Sequence, residues 1–179
     1  MKSIRYSAAQ NGWFFLLFVF FLVTVFPGAS AASHKRPEQL DIIIIGDRVV
    51  DIAYKLGVIP AAMSVRCSLW PLCERLDNAG QVLGCPNCVL KKKGAPVLEA
   101  SRTLAIKRVI IEKHPNFCQY VDVSPEKVAP YLKGKGLSIE YVDFSKGLAP
   151  AVRQTAEILD RKDKAENLIR VYEKRMARM

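Results

Sequence analysis

Apolar positions along this chain follow two rhythms that alternate from Asp41 to the C-terminus. Asp41-Ile42-Ile43-Ile44-Ile45-Gly46 is an apolar run without alternation, the pattern of a strand buried on both faces. Val49, Ile52, Ala53 and Leu56 then recur at helical spacing, with Asp47 as the expected cap and Gly57 as the stop. Ile59 to Val65 reads as a second strand, followed by a Cys67–Cys73 loop, a short helical piece at Leu72 to Leu76 and a brief strand at Gln81 to Leu83. Beyond a Cys85–Cys88 loop, Ala95 to Ala105 is predicted helical, with Val97, Ala100 and Leu104 on one face. Arg108 to Glu112 is a fourth strand and Leu137 to Phe144 a fifth. Between them, Ser124-Pro125 opens a helix that Pro130 keeps short. Leu148, Val152, Thr155 and Leu159 stripe one later helix; Ala165, Leu168, Ile169, Tyr172 and Met176 stripe the last.

Strand and helix thus alternate five times. Crossovers that must cover the faces of a sheet give an α/β domain, a three-layer α/β/α arrangement with a mostly parallel sheet. In such sheets ligands bind beyond the carboxyl ends of the strands. That rule gathers the chemically distinctive residues on one edge. Asp47 and Arg48 follow the first strand, Cys67 and Cys73 the second, and Cys85 and Cys88 the third. His114 and Cys118 follow the fourth.

Residues 1–31 stand outside this pattern and read as a signal peptide. Lys2 and Arg5 form a basic start, and Trp13 to Phe26 is an apolar run. Pro27-Gly28 then precedes Ala29-Ser30-Ala31, a small-residue cleavage pattern. The apolar run is short of the roughly 20 residues that a bilayer span needs, so export is expected over an uncleaved anchor. The expected organisation is a signal peptide to residue 31, a polar linker over 32–40, and one domain from 41 to 179, in a periplasmic or extracytoplasmic protein.

The formal charge of +10 would suit a nucleic-acid partner. Export argues against one, and apart from Lys91-Lys92-Lys93 the lysines are scattered. Five cysteines matter more. Their odd count in an oxidising compartment leaves at least one thiol outside any disulfide.

The run GDRVVDIAYKLGVIPAAMSV resembles the opening strand–helix–strand of the class III periplasmic substrate-binding proteins, receptors of ABC importers for ferric siderophores, haem and cobalamin. GAPVLEASRTLAIKRVIIE resembles the helix leading into a strand beside their ligand loop. SPEKVAPYLKGKGLSIEYVDF and LAPAVRQTAEILDRKDKAENLIRVYEKRM resemble the end of their first lobe and the start of the helix joining the lobes. The resemblance implies a single periplasmic-binding-protein-like lobe ending in the linking helix. It also implies a metal ion or metal chelate as ligand, and an importer permease and ATPase as partners. Completion of the clamshell by a second copy, or by a separate second lobe, is left open.

Three readings compete for the cysteines. Cys67–Cys73 and Cys85–Cys88 could be disulfides stapling loops. Alternatively, Cys67, Cys73, Cys85, Cys88 and Cys118, with His114, could bind a thiophilic metal or a metal-bearing chelate, since a C-x2-C turn can place two sulfurs on one ion. In the third reading Cys85-Pro86-Asn87-Cys88 is a redox dithiol, which the expected late start of the following helix, near Ala95, disfavours. At least three sulfurs near a common point is the expectation of the metal reading. Asp47, Arg48, Trp70 and Cys118 are the candidate ligand contacts. No Ser-His-Asp set, paired carboxylates or phosphate-cradling glycine loop stands out, so an enzyme is not expected. The function read from the sequence is therefore an exported receptor or carrier for a metal or metal chelate. The alternative is a disulfide-stapled interaction module or thiol-redox module with no transport role.

Overall fold

The computed structural model describes residues 36–114, 117 and 123–178. The expected signal peptide and Cys118 lie outside them. No helix among the described residues is long and apolar enough to cross a membrane.

The four isoleucines set the middle of the sheet. β1 (Glu38–Ile45) is flanked on one side by β2 (Val58–Ser64) and on the other by β4 (Arg108–Lys113). β3 (Gln81–Val82) and β5 (Ser138–Asp143) lie at the edges, in the order β3-β2-β1-β4-β5. Every pairing is parallel. Ile42 and Ile44 face a core built with α1 (Asp47–Lys55), α6 (Leu148–Ile158) and α7 (Lys162–Met176). Ile43 and Ile45 face a second core, against α3 (Pro86–Lys91), α4 (Ala95–Thr103) and α5 (Ala129–Leu132). Side chains on a strand alternate between faces, so one unbroken run supplies both cores and all four residues are buried. The expected three-layer α/β fold with a parallel sheet is the one observed.

Four local expectations are corrected. β1 begins at Glu38, within the stretch read as linker, because its first residues pair with Val58 to Pro60 while their side chains remain largely in solvent. Asp47 does not cap α1: Gly46 holds the cap position and the Asp47 side chain is engaged elsewhere. α4 ends at Thr103, and Leu104 is exposed rather than facing the core. Ala105 adopts positive φ, which turns the chain and lets Ile106 take the buried place. Met176, placed on the apolar stripe of the last helix, is also exposed. The short helix α2 (Cys73–Leu76), the 3-10 turn Pro125–Val128 and α5 match the broken helical pieces expected from Leu72 to Leu76 and around Pro130.

Candidate functional site

The carboxyl ends of the strands carry two arginine–carboxylate pairs, a cavity and a pair of thiols. Gly46 follows β1 with φ +130°, a conformation that side chains disfavour, and this lets Glu112 at the end of β4 approach the backbone. Glu112 is fully buried although it is an acid, directly after the apolar run Val109 to Ile111 in β4. Its carboxylate accepts from the Arg48 backbone N–H at 3.0 Å and from Arg48 Nε at 2.5 Å. Arg48 Nη2 lies 2.5 Å from the same Oε1 as an ion-pair contact without hydrogen-bond alignment. The guanidinium stacks over Phe144, 4.3 Å from the ring centre. Burial pushes the Glu112 carboxyl above its ordinary range, and the Arg48 charge opposes that rise without cancelling it.

The second pair joins Asp47 to Arg66, just beyond β2. Asp47 is buried and accepts from the Arg66 backbone N–H at 2.8 Å and from Arg66 Nε at 2.5 Å. Arg66 Nη1 donates to the Phe117 carbonyl at 3.1 Å, and its guanidinium carbon sits 4.1 Å from the centre of the Phe117 ring. Asp47 and Arg48, both expected as ligand contacts, are therefore each committed to an internal partner.

Beside this pair opens a cavity of about 320 Å³. Its walls come from Val65 to Leu69 after β2, Gly84 to Asn87 after β3, and Phe117 and Val123 after β4. The surface is mainly apolar, with Arg66 the one charged side chain among its described lining residues. Trp70, His114, Asp47 and Arg48 are not among those lining residues. Trp70 packs against the core that holds Cys73 and Leu76. The His114 carbonyl accepts the Ser124 hydroxyl at 3.4 Å.

The four described cysteines separate into two pairs. Cys67 and Cys73 are joined as a disulfide, so they offer no thiolates to a metal. Cys85 and Cys88 are free, with their sulfurs 2.9 Å apart. No three His, Cys, Asp or Glu side chains among the described residues converge closely enough to hold a metal ion. The expected gathering of three or more sulfurs is thus not formed among the described residues. Convergence on one sheet edge does occur, because Cys67 and Cys85 line the same cavity.

The helix after the C-x2-C pair also differs from expectation. It begins at Pro86, with Cys85 at the cap position, extended at φ −72° and ψ 157°, and its sulfur accepts the Cys88 backbone N–H at 3.3 Å. Proline at the first helical position was the legible sign of this start. Burial and the hydrogen bond to Cys88 raise the Cys85 thiol pKa. The hydrogen bond from Cys85, helped by the charges of Lys91 and Lys92, lowers that of Cys88.

Gly46, Arg66, Glu112 and Phe117 had not been singled out from the sequence. For Glu112 a signal existed, since an acid closing the run Arg108-Val109-Ile110-Ile111 is placed to be buried with the strand.

No protein-family model matches the sequence, and neither does any curated protein. Solved structures do match. SirA from Staphylococcus aureus superposes with a TM-score of 0.52 at 20% identity, over 76% of this chain and 44% of SirA. A structure of SirA complexed with staphyloferrin B gives 0.53 at 21%, over 76% of this chain and 42% of that one. The periplasmic haem-binding protein BhuT, solved with two haems, gives 0.52 at 16% over 76% of this chain and 47% of BhuT. The chain therefore spans less than half the length of these proteins. The described lobe has the fold of the class III periplasmic substrate-binding proteins, as its sequence resemblance implies.

Proposed function

We propose that this lobe is a receptor or carrier for a metal-bearing chelate, bound at the cavity beyond β2, β3 and β4, and that it serves an ABC importer through a permease and ATPase. The observation that carries the reading is the cavity itself. It lies at the carboxyl edge of a parallel sheet, where such folds bind ligands, and its volume falls in the range of small-molecule sites. Its chemistry suits a chelate with an apolar body and an anionic group. Leu69, Pro86 and Val123 supply apolar wall. Arg66 has five N–H donors, and its side-chain bonds to Asp47 and Phe117 use two of them, which leaves donors for a carboxylate. The neighbours solved with haem and with staphyloferrin B support this class of ligand.

Titration of the full chain with haem, and separately with iron-loaded staphyloferrin B, tests the reading. Saturable binding to at least one probe is expected. Leu69 is exposed, so Leu69→Asp should leave the fold intact and weaken binding by about tenfold, the effect of losing one buried leucine contact. Failure of both probes to bind, or binding that Leu69→Asp does not alter, overturns the assignment.

A further inference from the structure

We infer that Cys85 and Cys88 form a thiol–disulfide exchange site for a small anionic disulfide, in which Cys88 attacks and Cys85 resolves. The two sulfurs already stand 2.9 Å apart, whereas a disulfide bond is about 2.05 Å, so closure needs a shift of less than about 1 Å. The backbone prepares the pair. Cys85 sits at the cap of α3, and the Cys88 N–H donates to its sulfur, which holds that sulfur toward Cys88. Geometry also divides the roles. Cys88 is exposed and open to an incoming disulfide, while Cys85 is partly covered and faces the cavity wall. The thiolate preference of Cys88 agrees with that division. Lys91 and Lys92 stand three and four residues after Cys88, on the same side of the helix, and both are exposed, as is Lys93. Their charge favours a co-substrate carrying carboxylates. The other cysteine pair is already closed, so the reactive dithiol is distinct from it.

The exchange proceeds in two displacements. The Cys88 thiolate attacks one sulfur of the incoming disulfide, forms a mixed disulfide and expels the other half as a thiolate. Cys85 then gives up its proton to that thiolate and attacks the Cys88 sulfur, forming the Cys85–Cys88 bond and expelling the second half. The protein dithiol loses two electrons and the small disulfide becomes two thiols. This site stands apart from the chelate reading, because the exchange is assayed with no chelate present and either can fail alone.

The test uses the full chain carrying Cys118→Ser, with oxidised glutathione as the anionic probe and cystamine as its cationic counterpart, followed by intact mass. The parent protein should lose two hydrogens and keep no adduct. Cys85→Ser, which preserves a good cap residue, should trap one glutathionyl group on Cys88. Cys88→Ser should react at least about tenfold more slowly, and cystamine should also be about tenfold slower than oxidised glutathione. Lys91→Glu with Lys92→Glu should narrow the difference between the probes without unfolding α3, as read by circular dichroism. Equal trapping by the two serine variants overturns the assigned roles. A parent protein that keeps an adduct, or stays a dithiol, overturns the exchange site itself, and equal rates for the two probes overturn the anionic co-substrate.

Discussion

A Cβ placed on Gly46 would lie 2.3 Å from the Cβ of Glu112 and 2.5 Å from its Oε2. The glycine is thus the space into which the buried carboxylate fits. Gly46→Ala must both strain a backbone at φ +130° and displace Glu112 from Arg48. The expected loss of stability is about 2–5 kcal/mol, measured as a lower midpoint in urea unfolding. An unchanged midpoint would mean that this edge relaxes freely.

Glu112 should give stability a distinct pH dependence. Its folded pKa is raised above the ordinary 4.5, mainly by burial, so the folded state holds this proton more tightly than the unfolded state does. As pH climbs from below 4.5 through the raised folded value, the unfolded chain ionises first and the fold loses stability from this group. Glu112→Gln removes the titration. The stability of the native protein minus that of the variant should therefore fall as pH rises from acid towards neutrality in paired urea titrations. A difference that grows with pH would show that the Arg48 charge outweighs burial.

How much of this was legible varied with the distance over which each feature is determined. Ile42 to Ile45 disclosed a central strand because burial on both faces is written into four adjacent residues. The joining of strand ends at one edge followed from the parallel topology alone. The internal partner of Arg48 is not legible from its neighbours, since Glu112 lies 64 residues away and reaches it because Gly46 leaves room. Trp70, a pocket candidate by side-chain type, packs partly buried against the core, a placement that its immediate neighbours do not reveal. Cys85-Pro86 sits in a stretch that reads as loop by its polarity, yet a cap followed by proline is a helix start.

Arg66 should be more costly to lose than its partly exposed position implies. Arg66→Ala leaves the buried Asp47 carboxylate without its guanidinium partner and removes the stacking on Phe117. Partial solvent access limits the penalty to about 1–3 kcal/mol. Arg66→Lys should recover less than half of it, because an ammonium cannot hold Asp47 and the Phe117 carbonyl with one planar group. Chemical unfolding of the three proteins checks the order native, lysine, alanine, and a lysine variant as stable as the native protein contradicts it.

The Cys67–Cys73 disulfide closes a short loop, with a sequence separation of 6, on the cavity wall. In the chain-entropy picture such a loop contributes about 2 kcal/mol by restricting the unfolded chain. Cys67→Ala tests that figure cleanly: Cys73 is the buried member of the pair, and its sulfur still fills its place in the core. The variant should unfold at a lower urea concentration by that amount, and added reductant should then change its midpoint far less than it changes the native one. The same variant releases the segment from Cys67 to Leu69 that forms one wall of the cavity. Amide exchange there should therefore quicken more than exchange at Ile42 to Ile45 in the buried central strand. Uniform acceleration across the sheet would instead place the disulfide's effect in global stability alone.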